Sequence, residues 1–288
     1  MIAPMNQPPQ PMPIAADAAN DTDSHAAEPA HSPPHTHGAT TRIWHWVNLV
    51  ALVVLFMSGL MIFNAHPDLY WGEAGNRDEP SWLAIGNANE QGYLRIGGLE
   101  VETTGVLGRY RNDEGTFSNR AIPPWATIPS DYSLADARRW HFFFAWIFAF
   151  GLLLFMVLSL INGHVRKAIA MRGRQWHPRV LWRTVVDHAR LKFHTEAGEV
   201  YNPLQKLSYI AVIFVALPLM IITGLAMSPG VDAALHWPSM LFGGRQSARS
   251  IHFISAFALF GFLIMHVALV LIHKPLTLLR GMTIGGGK

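Results

Sequence analysis

The chain contains no cysteine in 288 residues. That excludes thiolate-ligated iron–sulfur clusters, covalently attached c-type haem and disulfides, so any redox chemistry uses a cofactor held by other side chains. Charge is also scarce. Only 14% of residues are Asp, Glu, Lys or Arg, against 50% hydrophobic. The charges are clustered, and four stretches carry none: Ile43–Phe63, Trp140–Val165, Leu207–Val231 and Ser250–His273, of 21, 26, 25 and 24 residues. A bilayer span needs about 20 apolar residues. A soluble enzyme fold is excluded, and the pattern predicts an all-α membrane protein with four transmembrane helices. The net charge of +3 then reports topology rather than a nucleic-acid partner.

Residues 1–40 hold 8 of the 19 prolines, no Lys or Arg and no apolar run. Composition predicts a disordered tail there, without the basic start and apolar stretch of a signal peptide. Its His25, His31, His35 and His37 read first as part of a solvated low-complexity segment and second as metal ligands. Residues 163–202 carry eight basic residues (Arg166, Lys167, Arg172, Arg174, Arg179, Arg183, Arg190, Lys192) against three acids. The positive-inside rule puts this loop and both termini in the cytoplasm of a bacterial inner membrane. Residues 64–137, with 11 acids, become an ordered periplasmic cap. The domain reading is a tail (1–40), a four-helix domain (41–280) and a short C-terminal tail (281–288). Within the basic loop, Trp182, Val185, Val186, Ala189 and Phe193 recur at helical spacing, which suits a short helix in the inner headgroup region.

Neither acid nor lysine lies within the four spans. Histidine does: His45 near the start of the first span, His141 near the start of the second, His252 and His266 in the fourth. Intramembrane ionisable residues are rare and mostly functional. Fourteen residues at about 100° each leave His252 and His266 within about 40° of one another on one helix face, roughly 21 Å apart along it. Alternating span direction sorts the four into two levels, His141 with His252 outside and His45 with His266 inside. Two imidazole pairs at two depths predict two haems b with histidine as both axial ligands. A zinc site needs its donors to converge on one point, and a lone intramembrane histidine often serves helix packing. His164 is an alternative inner ligand.

Arg138 and Arg139 precede His141, while Arg245 and Arg249 precede His252. All four lie on the face where the positive-inside rule disfavours them. Arg139 and Arg249 are candidate partners of haem propionates, since Arg pairs with carboxylates in bidentate fashion; snorkelling or partner docking is the alternative. Gly59, Gly151, Gly224 and Gly261 admit either helix packing or a flat cofactor. At the start of the third span, Asn202, Gln205 and Lys206 read first as a helix cap with Pro203 as its first residue, and second as a quinone site. We find no internal repeat and no midplane charge, both of which transporters usually show.

Three features together resemble a known group. These are Arg42-Ile43-Trp44-His45-Trp46-Val47-Asn48 at the first span, Tyr201-Asn202-x-x-Gln205-Lys206 at the third, and the pair His252-x13-His266 in the fourth. The chain is similar over residues 41–280 to the bacterial cytochrome b561-like subunits of nickel–iron hydrogenase, formate dehydrogenase (gamma type) and thiosulfate reductase. Ala65-His66-Pro67-x-Leu69-Tyr70-Trp71-Gly72 and Trp125-Ala126-Thr127-Ile128-Pro129-Ser130 look most like the thiosulfate reductase type. The resemblance implies a di-haem b subunit that exchanges electrons between the quinone pool and a periplasmic redox enzyme, often a molybdopterin protein. It also implies His45, His141, His252 and His266 as axial ligands, and raises Asn202 and Gln205 as quinone contacts. Pro203 and the 74-residue cap depart from the gamma type. A stand-alone oxidase of a small reductant such as superoxide is the alternative within redox chemistry; a transporter or channel is the alternative outside it.

Overall fold

The computed structural model describes residues 38–75, 78–163, 170–171, 173–190, 202–272 and 275–284. The N-terminal tail with its four histidines, His164, His273 and Phe193 lie outside the described residues. Four helices are long and apolar enough to cross a membrane: Ala39–Phe63, Leu134–Ile161, Pro203–Met227 and Arg245–Ile272. Their outward faces are apolar, with Ile43 65%, Phe150 63% and Leu154 59% exposed. In water so large an exposed apolar surface would drive association; in a bilayer it is the lipid-facing belt. The protein is a multi-pass membrane protein with a helical bundle.

Each of the last three helices starts before its uncharged run, because polar residues at its entry cap it. Ser133 Oγ accepts from the Asp136 amide at 3.3 Å, closing the first turn of the second span. Asn202 and Gln205 form a capping box around Pro203 at the third. The fourth is capped from outside its own helix: the Gly72 carbonyl accepts from the amides of Gln246 and Ser247 at 3.0 and 3.1 Å. The helices stop short of the runs' ends where the backbone turns away, at Asn162 before Gly163 with φ of 65° and at Ser228 before Pro229. Within the third span, Ile210–Ala216 forms a widened π-helical segment. It ends two residues before Pro218, which lacks an N–H and crowds the carbonyl of Phe214.

The first two spans pack closely. A Cβ on Gly151 would sit 2.1 Å from the Trp44 ring, so only glycine lets that ring lie between Phe148 and Phe155, each 6.3 Å away between centroids. Ala51, Phe148, Leu152, Leu217 and Leu259 form the buried centre of the bundle. The expected basic-loop helix is Pro178–Ala189, with Trp182 and Val185 exposed. A final short helix, Pro275–Thr283, returns to the first span, where the Trp46 indole N–H donates to the Met282 carbonyl at 3.0 Å.

The segment after the first span contains strands that the apolar pattern did not announce. β1 (Asp68–Leu69), β2 (Leu83–Ala88), β3 (Gln91–Ile96) and β4 (Leu99–Glu102) make an antiparallel sheet in sequence order, and β5 (Tyr110–Arg111) pairs with β6 (Phe117–Ser118). The β2–β3 hairpin turns on Asn89 and Glu90, both at positive φ (48° and 65°), as a two-residue type I′ connection requires. Leu60 and Phe63 from the end of the first span share one core with Leu69, Leu83, Ile85, Ala121 and Ile122 of this cap. The cap is therefore built onto the bundle rather than tethered to it.

Candidate functional site

The structure brings the four span histidines together in two pairs. His141 and His252 have ring centroids 6.4 Å apart; His45 and His266 have theirs 6.2 Å apart. In both pairs the ring planes meet at 59°. A metal–imidazole bond of about 2 Å puts the ring centre about 3 Å from the metal, so two rings on opposite sides of one ion have centroids roughly 6 Å apart. Both pairs fit that spacing. Among the described residues, no group of three or more His, Cys, Asp or Glu could hold a metal ion. The donor set thus suits two axial positions on a macrocycle that supplies the other four ligands, and not a tetrahedral zinc site.

The cap-side pair has a defined second layer. Ser58 Oγ lies 3.1 Å from His141 Nδ1, and Thr223 Oγ1 lies 2.9 Å from His252 Nδ1. Both hydroxyl residues are fully buried. The next residue along each helix is a glycine against the same ring. A Cβ on Gly59 would sit 3.4 Å from His141 Cε1, and one on Gly224 would sit 3.6 Å from His252 Cε1. At these two positions glycine leaves the edge of each imidazole clear. Gly151 serves the helix packing described above, and Gly261 faces open space.

These contacts expose an internal repeat that our sequence reading missed. Met57-Ser58-Gly59-Leu60 in the first span matches Ile222-Thr223-Gly224-Leu225 in the third. Ala137-Arg138-x-x-His141-Phe142-x-x-Ala145 in the second matches Ala248-Arg249-x-x-His252-Phe253-x-x-Ala256 in the fourth. Ala137 and Ala248 are both fully buried. The absence of a repeat is therefore corrected: two helix pairs build the cap-side site in parallel. The signal is four residues in one pair of spans and five matched positions over nine residues in the other, too short to stand out until the histidine contacts align it. The opposite level does not share it, since His45 and His266 come from the first and fourth spans.

The two arginines have partners within the protein. Arg139 pairs with Asp136 at 3.0 Å and is 81% exposed. Arg249 donates to the Asp68 carbonyl at 2.9 Å and to the His66 carbonyl. In the repeat, the counterpart of Arg249 is Arg138. Around Arg249 the cap is stitched to the fourth span. The Trp82 indole donates to Ser250 Oγ at 2.9 Å, Ser250 donates to the Tyr70 carbonyl at 2.5 Å, and the Gly72 amide donates to Ser247 Oγ at 2.7 Å.

At the start of the third span, the Asn202 side chain accepts from the Gln205 amide at 2.9 Å, and the Gln205 side chain accepts from the Asn202 amide at 3.1 Å. The cap reading of these residues is thus realised. Lys206 is 2% exposed, and its Nζ donates to Gln175 Oε1 at 3.3 Å. Gln175, itself buried, was not singled out in the sequence, because it sits in a polar loop with no periodic neighbour to mark it.

Residues 36–285 match the prokaryotic cytochrome b561 family. A chain of Azospira oryzae named as a candidate protein-methionine-sulfoxide reductase subunit, YedZ1, is 24% identical over 242 residues, covering 81% of this chain and 89% of that one. No solved structure matches. With four apolar helices and a family match over nearly its whole length, this chain belongs to the prokaryotic cytochrome b561 family of membrane haem-b electron-transfer proteins.

Proposed function

We propose that this chain holds two haems b and carries electrons through the membrane, between quinone at the end opposite the cap and a redox enzyme at the cap end. The observation that supports this most is the matched pair of imidazole separations, 6.4 and 6.2 Å, at two levels of one bundle. His141 and His252 hold the cap-side haem; His45 and His266 hold the other. A haem with imidazole at both axial positions exchanges single electrons and offers no open coordination site to a substrate.

The rest of the site serves that exchange. Arg249 is a cation fixed by two neutral carbonyls one helical turn before His252, so it retains charge for a propionate. Arg139 is already balanced by Asp136. At the opposite end, Asn202, Gln205 and Lys206 surround the quinone head. Oxidation of a quinol releases two electrons to the nearer haem and two protons to the water at that end, and Lys206 Nζ, which also donates to Gln175 Oε1, donates a hydrogen bond to the quinone oxygen. This end faces the cytoplasm of a bacterial inner membrane and the cap the periplasm, a reading supported by the excess of basic residues in the loop at 163–202. The partner is a periplasmic molybdopterin-type enzyme, supported by a relative that is itself named as a reductase subunit.

The test is optical. Purified protein treated anaerobically with menadiol should develop the α-band of reduced haem b, and dithionite should complete it at two haems per chain. A folded preparation with no α-band after dithionite and no bound iron would overturn the proposal.

A further inference from the structure

We infer that Ser58 and Thr223 are paired positioning residues of the cap-side redox centre: they fix the proton on Nδ1 of His141 and of His252, turn both Nε2 lone pairs toward the iron, and hold its potential down. The inference rests on the haem reading above and goes beyond it to residues that touch neither iron nor porphyrin.

The direction of each hydrogen bond follows from counting protons. A hydroxyl has one. Ser58 Oγ lies 2.6 Å from the Val54 carbonyl, and Thr223 Oγ1 lies 2.7 Å from the Leu219 carbonyl, each four residues back on its own helix. These are short hydrogen bonds to groups that can only accept. The hydroxyl proton goes there, which leaves the oxygen's lone pairs facing the imidazole. At 3.1 and 2.9 Å, Nδ1 must then be the donor. A neutral imidazole with Nδ1–H has its free lone pair on Nε2. Both rings then carry the free lone pair on Nε2, at a centroid separation of 6.4 Å that matches two imidazoles on one iron.

The same bond sets electronic character. An acceptor on Nδ1–H raises the basicity of the ligating nitrogen. That favours ferric over ferrous iron and lowers the midpoint potential, since hydrogen bonding beyond the ligands is one of the protein's means of setting it. The internal repeat makes the effect act on both axial ligands of one haem. Burial adds to it, because no water competes for either hydroxyl.

Redox titration of the purified di-haem protein, followed at the α-bands, tests this. In Ser58→Ala and in Thr223→Val the cap-side haem should titrate at a more positive potential. The double variant should shift further, while the other haem stays where it is. Thr223→Ser keeps the hydroxyl and should titrate as the wild type does; a positive shift in Thr223→Ser would contradict the inference whether or not the valine variant keeps its haem. Two retained haems with unchanged potentials in the double variant would overturn it as well. A wild-type protein with no reducible haem would instead overturn the underlying proposal.

Discussion

Thr223 Oγ1 lies 2.9 Å from His252 Nδ1, and Gly224, the next residue, leaves the edge of the same ring clear. One short segment of the third span thus does two things for a histidine on the fourth. It satisfies Nδ1 and keeps side chains clear of the Cε1 edge beside it. Ser58 and Gly59 do the same for His141 from the first span.

The glycines give a graded prediction. A methyl group at Gly59 or Gly224 meets the ring at ordinary contact distance, so Gly59→Ala and Gly224→Ala should keep both haems. A branched side chain has to displace the ring, and cores accommodate such overpacking poorly. Gly59→Leu or Gly224→Leu should halve the haem-to-protein ratio by emptying the cap-side site alone, measured by the pyridine haemochromogen assay against protein concentration.

Ser250 joins the cap to the fourth span two residues from His252. Its hydroxyl accepts from Trp82 and donates to Tyr70, and it is fully buried. Ser250→Ala strands an indole N–H and a carbonyl, and an unsatisfied buried polar group costs about 1–3 kcal/mol. Thermal unfolding of the detergent-solubilised protein should show a lower midpoint, with the cap becoming sensitive to limited proteolysis before the spans do.

Lys206 separates quinone chemistry from electron transfer. Lys206→Met removes the hydrogen-bond donor to the quinone oxygen in a side chain of similar length. Reduction of the haems by menadiol should slow at least about tenfold, an effect near 1.4 kcal/mol on the barrier, while reduction by dithionite proceeds as in the wild type. Stopped-flow absorbance at the α-band distinguishes the two.

Much of this was legible in the sequence because the physics involved is local or periodic. The four uncharged runs marked the spans, as the length requirement of a bilayer dictates. The 14-residue interval between His252 and His266, with alternating span direction, put each imidazole beside the one expected. Helix boundaries were less legible. The apolar runs report the lipid-facing length, whereas Ser133, Asn202 and the carbonyl of Gly72 decide where the helices begin. The cap's strands were hidden because they are two to six residues long and stabilised by packing on Leu60 and Phe63. Ser58 and Thr223 carry no signal as single residues; hydroxyls within membrane helices commonly bond their own carbonyls, and only the neighbouring helix gives them a second role. Arg249 read as a propionate partner, and its bonds to two carbonyls far from it in sequence carry no mark in a periodic pattern.

The two-level pairing is tested most directly by low-temperature electron paramagnetic resonance on oxidised His252→Ala and His266→Ala proteins, with haem counted in the same samples. The wild type should give two low-spin signals and two haems per chain. Each variant should lose one haem and one signal, His252→Ala the cap-side one and His266→Ala the other. Loss of both signals from either change, or of the same signal from both, would contradict the arrangement.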